Sequence, residues 1–259
     1  MSSGFVVSGL SCTPVKGTRV REVGQLDLDV TGARGDRRFY VIDDRDRMRN
    51  GKQIGELQQV LADFAEETGS LELRFPDRPP VGASVELGAP VHTLFFSRER
   101  DDRLVVGPWS SALSDFTGVP LRLVATDSAV DRGRQGGASL ISRASLARLA
   151  EIGAHQTVDG RRFRMLIEAD GLTAHGEDEW VGSLVRVGGA IVRWHGHVGR
   201  CLVTGRDPET GVTTLPTLDL LGSYRRELDA TEPLPFGIHG EVVDPGRVCV
   251  GDPLVPLAE

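Results

Sequence analysis

Leu184-Val185-Arg186-Val187, Gly188-Gly189, then Ala190-Ile191-Val192-Arg193-Trp194 is the stretch that decides the fold class. Apolar and polar residues alternate on both sides of a Gly-Gly pair, the signature of two antiparallel strands joined by a tight turn. The second strand runs into His195-Gly196-His197-Val198-Gly199-Arg200-Cys201-Leu202-Val203-Thr204, which carries the most reactive side chain of the chain. Cys201 follows an arginine and lies near two histidines; neighbouring positive charge favours a thiolate, and Gly196 and Gly199 let backbone or ligand approach closely. A nucleophile or a soft metal ligand fits there. So does a small buried hydrophobe, because a cysteine at a strand start often serves only packing. After Cys201 a short apolar run is expected as a further strand, closed by Asp207-Pro208-Glu209-Thr210-Gly211 as a turn.

Outward from this hairpin the pattern repeats. Residues 5–15 and 20–30 read as strands, as do 39–43, 71–75, 85–87 and 119–124. Helical spacing is expected in 109–117, stopped by Gly118, and in 143–152, capped by Ser142 and ended by Gly153. It is also expected in 215–228, and in 56–67 with the alternative of a strand from Val60-Leu61. A strand entered through Arg161-Arg162 covers 161–168, and a second hairpin turns at Asp244-Pro245-Gly246. Residues 131–138 lack periodicity and bulk and read as a mobile loop. The polar run 92–102 reads as the joint between two halves, giving domains at 1–105 and 106–259. The fold class expected is mostly β with a few short helices.

Composition narrows the function. No run of about 18 apolar residues occurs, and Met1-Ser2-Ser3-Gly4 opens no leader pattern, so neither membrane insertion nor secretion is expected. Three cysteines are too few and odd in number for a disulfide framework, which points to a cytoplasmic protein. A net charge of -7 argues against wide nucleic-acid contact. Basic groups nonetheless gather beside glycine in two loops, Pro14-Val15-Lys16-Gly17 and Gly35-Asp36-Arg37-Arg38. Lysine and arginine with exposed backbone N–H groups suit an anion if the loops meet; two solvated hairpin loops are the alternative.

Taken in order, Pro14-Val15-Lys16-Gly17, Asp36-Arg37-Arg38-Phe39, Leu140-Ile141-Ser142-Arg143-Ala144-Ser145-Leu146, Arg162-Phe163-Arg164, Glu177-Asp178-Glu179-Trp180, Gly199-Arg200-Cys201, Asp207-Pro208-Glu209-Thr210-Gly211, Phe236-Gly237 and Val250-Gly251-Asp252-Pro253 resemble the MOSC proteins. The likeness runs along nearly the whole chain and is similar to an N-terminal MOSC β-barrel domain followed by a MOSC domain, as in the mitochondrial amidoxime-reducing component and its bacterial relatives. It implies a β-barrel fold binding a molybdopterin-type molybdenum cofactor between the domains, with Cys201 as metal ligand. Lys16, Gly17, Arg37, Ser142, Arg164, Gly199 and Arg200 are then expected around the cofactor, and His239 beside Cys201 in catalysis. The implied activity is reduction of N-hydroxylated small molecules, with a separate reductase supplying electrons.

Four departures stand out. Gly17 replaces the serine of many relatives, Met165-Leu166 replaces Pro-Asn, Gly199 replaces serine or proline, and His239 replaces tyrosine. Each loses or changes a polar contact, Leu166 most of all, and each bears on whether the cofactor is retained. Two rivals follow: a sulfur carrier holding a persulfide on Cys201, and a MOSC-fold enzyme or binder without molybdenum that uses His195, His197 and His239 as acid–base groups.

Overall fold

The computed structural model describes residues 4–127 and 132–258. Met1-Ser2-Ser3 and Asp131, the first residue of the expected loop, lie outside them. The Gly-Gly hairpin forms as expected, with Leu184–Val187 paired to Ala190–Gly199 and Val187 opposite Ala190. It is part of a closed seven-stranded barrel. Around the barrel the order is Ile167–Asp170, Ala138–Ser142, Pro235–Asp244, Ala190–Gly199, Leu184–Val187, Pro253–Pro256 and Phe5–Cys12, which returns to Ile167–Asp170. Ala138–Ser142 and Ile167–Asp170 are parallel, because the helix Arg143–Ile152 carries the chain across between them. Alternation along the strands sends Val7, Leu140, Val185, Val187, Val192, Trp194 and Ile238 into one apolar core.

The remaining strands build a second core. A five-stranded sheet, Glu86–Phe95, Arg98–Val106, Arg122–Ala125, Phe39–Ile42 and Met48–Arg49, and a three-stranded one, Leu61–Ala65, Ser70–Arg74 and Val81–Ser84, enclose it with the helix Trp109–Thr117. Trp109 is fully buried there and its indole N–H donates to the Leu71 carbonyl at 3.1 Å. Gly118 ends that helix in the left-handed region, at φ 69°. Phe5–Cys12 closes the barrel, whereas Arg122–Ala125 completes the five-stranded sheet.

Several local expectations change, each for a physical reason. Residues 92–102 are not a joint but lie in the hairpin of Glu86–Phe95 and Arg98–Val106, whose charged side chains cover an exposed face. Residues 20–30 form two strands, Arg21–Val23 and Gln25–Asp29, parted at Gly24. The 56–67 segment is one turn, Gly55–Gln59, followed by the strand Leu61–Ala65, the alternative beginning at Val60-Leu61. Asp244-Pro245-Gly246 makes no hairpin: a single residue separates Pro235–Asp244 from Gly246–Cys249, too few to reverse the chain. Gly246–Cys249 pairs instead with Gln25–Asp29. Within the expected mobile loop, Gly133–Gly136 forms a 3₁₀ turn and Ala138 already belongs to the barrel.

Arg161 to Arg164 is no strand either. Asp159 accepts the Arg161 backbone N–H at 2.9 Å and its guanidinium at 2.7 Å, which winds Gly160–Phe163 into a 3₁₀ turn ending on Arg164 at φ 56°. The strand begins only at Ile167. Its predecessor Leu166 is 2% exposed within the barrel core. The expectation that Leu166 faces a cofactor pocket is thereby corrected, since Met165 takes the position facing the cleft. Leu166→Asn is expected to lower stability by roughly 2 to 5 kcal/mol, from lost burial plus an amide without partners. Urea denaturation measures it, and an unchanged midpoint would contradict this placement.

Candidate functional site

The run after Cys201 is a 3₁₀ turn, Leu202–Gly205, rather than a strand. The Thr204 hydroxyl donates to the Cys201 carbonyl at 2.9 Å and the Thr204 N–H to the same oxygen at 3.1 Å, so local capping outcompetes extension. The turn expected at Asp207 forms, its carboxylate accepting the Glu209 and Thr210 N–H groups. This geometry leaves Cys201 exposed at the rim of a cleft of about 240 Å³.

The cleft gathers most of the residues singled out from the sequence: Lys16, Gly17, Arg37, Arg164, Gly199, Arg200, Cys201 and His239 all line it. The two basic loops therefore do meet. The Lys16 N–H donates to the Phe39 carbonyl and the Arg37 N–H to the Thr13 carbonyl, each at 2.8 Å, which ties the loops together. Arg37 pairs with the buried Asp36 and donates to the Arg164 carbonyl at 2.8 Å. Its fork thus joins the first basic region to the 3₁₀ turn of the barrel side.

Arg200 is committed inward. Its guanidinium donates to the carbonyls of Phe236 (2.8 Å) and Phe163 (3.0 Å) and lies 5.2 Å over the Phe163 ring. Burial, with the Arg132 charge next, pushes it down to about 9, so it remains charged at neutral pH. Its chemistry is to lock the segment before Cys201, and not to reach an anion with its full fork.

The glycine departures have steric causes. Gly17 sits at φ +98°, where a Cβ would stand 3.1 Å from the Asn50 Cα. At Gly199 a Cβ would meet a Glu232 carboxylate oxygen at 2.8 Å and the Pro233 carbonyl at 2.9 Å. Glu232 occupies that space because it accepts the Gly199 N–H at 2.8 Å and grips Arg132 at 2.8 and 2.6 Å. Burial would raise the Glu232 carboxyl, but Arg132 and the Gly199 N–H outweigh it and hold it below the usual carboxylate range.

The histidines separate. His239 lines the cleft, and its Nδ1 lies 2.7 Å from the Gln135 carbonyl, which assigns the proton to Nδ1 and leaves Nε2 as acceptor. Burial first, then the Arg132 charge, lowers its pKa, so it stands neutral. His195 instead faces Glu241 at 3.4 Å, and His197 is buried with Nε2 3.8 Å from Asp178. Bulges in the pairing of Ala190–Gly199 with Pro235–Asp244 break the alternation that the sequence suggests. A three-histidine acid–base site is not formed.

Ser142 is also corrected. It is fully buried as the cap of Arg143–Ile152, accepting the Ser145 N–H at 3.1 Å and donating its own N–H to Glu177 at 3.1 Å. Ser139, earlier on the same strand, faces the cleft and accepts the Leu166 N–H at 3.0 Å. Ser139, Asn50, Lys52, Phe96 and Arg132 line the cleft without having been singled out. Lys52 and Arg132 carried the available signal, a basic residue beside glycine, and Arg132 lay hidden in a segment without periodicity.

Behind Ser142, His175 packs between Tyr224 (5.6 Å) and Phe236 (5.8 Å). Burial, with the Arg225 charge, pushes it from 6.5 down to about 4. As pH falls, the unfolded chain therefore takes up this proton first, so stability is intact above 6.5 and is lost between 6.5 and about 4. His175→Phe is expected to flatten the fall of the urea midpoint across that window. A slope identical to the parent's would remove His175 as its source.

Among the described residues no helix is long and apolar enough to cross a membrane. Residues 4–107 match the MOSC N-terminal beta barrel domain and residues 127–255 the MOSC domain. No curated protein matches the chain. The chain is similar to the YuaD protein from Bacillus subtilis, at 14% identity and TM-score 0.48, over 98% of this chain and 97% of that one. It is also similar to YiiM from Geobacillus stearothermophilus, at 15% identity and TM-score 0.37, over 67% and 73% of the two chains. With both domain matches in order along the chain, the protein belongs to the MOSC domain family, which is linked to the molybdenum cofactor.

Proposed function

We propose that this cleft holds a molybdopterin-type molybdenum cofactor and that the protein reduces N-hydroxylated small molecules with electrons from a separate reductase. The observation that carries the reading is an exposed thiol, Cys201, opening onto the same cleft as Lys16, Arg37 and Arg164. The donor set fits such a group: a soft sulfur for the metal, and a lysine and two arginines for an anionic end. Among the described residues no group of three or more His, Cys, Asp or Glu side chains is placed to hold a metal. Cys201 would therefore be one donor to a metal whose other sulfur donors come with the pterin.

When bound, the cofactor supplies two-electron, oxygen-removing chemistry at the metal. Converting N–OH to N–H and water takes two electrons and two protons. The Nε2 of neutral His239 is an acceptor on the cleft wall and can pass on one of those protons. Arg200 keeps the Cys201 segment fixed through the Phe163 and Phe236 carbonyls. The Arg132–Glu232 pair holds Gly199, next to that segment, through the Gly199 N–H. A cytoplasmic setting belongs to the same proposal, because Cys12, Cys201 and Cys249 are all free thiols.

The exposure of Cys201 also supports a second reading, in which its thiolate takes the outer sulfur of a donor protein's persulfide, the donor cysteine leaving as thiolate, and carries it as a persulfide. One experiment separates the two. The protein is purified from a host that makes the cofactor, and molybdenum, released pterin and sulfane sulfur are measured per chain. Stoichiometric metal with pterin, and reduction of an amidoxime by chemically reduced viologen, support the first reading. Sulfane sulfur on Cys201 without metal supports the second and overturns the first.

A further inference from the structure

We propose that Phe96 is a specificity-determining residue: an aromatic platform at the mouth of the cleft that selects ligands in which a planar conjugated ring lies next to an anionic group. The inference rests on the reading of the cleft as a ligand site. Phe96 occupies the first position of the two-residue turn joining Glu86–Phe95 to Arg98–Val106, with Phe95 paired to Arg98. It adopts φ 57°. Two-residue hairpin turns that need positive φ at this position favour glycine, asparagine or aspartate, and a bulky residue there is strained. Folding alone therefore argues against phenylalanine at this position.

Packing does not explain it either. Phe95 is the residue that enters the core, 3% exposed against Tyr40, Ile42, Met48 and Val124. Phe96 stays 49% exposed and adds only an edge contact to Phe95 at 5.4 Å. Its ring lines the cleft, and the Lys16 ammonium lies 5.5 Å from the ring centroid. An anion meeting Lys16 thus brings whatever ring it carries within stacking reach of Phe96, where aromatic pairs prefer centroid separations of about 4.5 to 7 Å. Strain kept at a turn whose half-exposed ring lines the cleft beside Lys16 points to use by the ligand.

The ring could be that of the cofactor or that of a substrate, and two arms of the experiment tell them apart. In metal-free protein, phosphorus NMR titrations compare phenyl phosphate with cyclohexyl phosphate, equal in charge and similar in size. The parent is expected to prefer phenyl phosphate by about 3- to 10-fold, the span of an aromatic pair. Phe96→Tyr should keep the preference, and Phe96→Gly and Phe96→Ala should abolish it. Phe96→Gly should fold at least as stably as the parent, because glycine tolerates the turn, so loss of preference there is not loss of fold.

In protein from a cofactor-making host, a fall in released pterin in Phe96→Gly assigns the ring to the cofactor. Unchanged pterin together with the lost phenyl preference assigns it to the substrate. An equal preference in parent and Phe96→Gly overturns the inference while leaving the cleft as an anion site. Binding of neither phosphate overturns the cleft reading itself.

Discussion

Cys201→Ser is expected to fold as the parent does and to lose bound molybdenum and N–O reduction by more than about 100-fold, beyond the loss seen when an outer-shell partner of a metal ligand is removed. The reason is the identity of the donor. A hydroxyl is harder and far less acidic than a thiol, so it keeps the shape of the rim while losing the soft ligand. The other two cysteines provide the contrast. Cys12 is buried, and burial first, then the Asp36 charge, pushes its thiol up to about 11. Cys12→Ser should therefore cost about 1 to 3 kcal/mol of stability, with metal content retained. Cys249 is half-buried, its N–H donating to Asp252 at 2.7 Å, a contact serine preserves. Cys249→Ser should change stability within about 0.5 kcal/mol. Metal analysis and turnover on the three variants check this, and full turnover by Cys201→Ser would remove both the molybdenum and the persulfide readings.

Lys16 and Arg37 are expected to part company when each is replaced by alanine, although the sequence presents them as equivalent basic residues in twin loops. Lys16→Ala should leave the fold and release the anionic end of the ligand, lowering pterin retention by about 10-fold or more for one charge-assisted contact. Arg37→Ala should act on folding first. Its guanidinium is the partner of Asp36, whose side chain is only 3% exposed and also accepts the Thr13 N–H at 2.8 Å. Removing one member of such a buried pair costs about 3 to 5 kcal/mol, because the remaining charge has no water. It also frees the Arg164 carbonyl that Arg37 holds at 2.8 Å. Thermal melts and released-pterin fluorescence on the two single variants distinguish these effects. A stable Arg37→Ala protein with normal pterin would show that the pair with Asp36 is dispensable.

Part of this molecule was legible before any fold was known. Alternation around Gly188-Gly189 specified a hairpin, because a side-chain period of two allows one apolar face. Ser142, Gly118 and Asp207 announced a cap, a stop and a turn through bonds they make with their own neighbours in sequence. The family likeness brought Lys16, Arg37, Arg164 and Cys201 together, and these residues do share one cleft. That reading worked where chemistry is carried by the residue itself.

What the sequence could not determine was direction and company. Leu166 and Met165 are both apolar, and only barrel closure decides that the first enters the core and the second the cleft. His195, His197 and His239 look like one cluster, yet bulges between the paired strands send two of them to Glu241 and Asp178. Arg200 reads as an anion ligand, but the carbonyls of Phe163 and Phe236, far away in sequence, take its donors. Asp244-Pro245-Gly246 has turn composition, and partner strand Gln25–Asp29 overrides it. Local propensity and side-chain chemistry are properties of neighbours along the chain, so the sequence by itself determined the β class and the reactive groups. Which groups face the cleft depends on contacts between residues far apart in sequence, such as Phe5 with Leu254, and only the closed barrel, by fixing each strand's register and rotation, decided that.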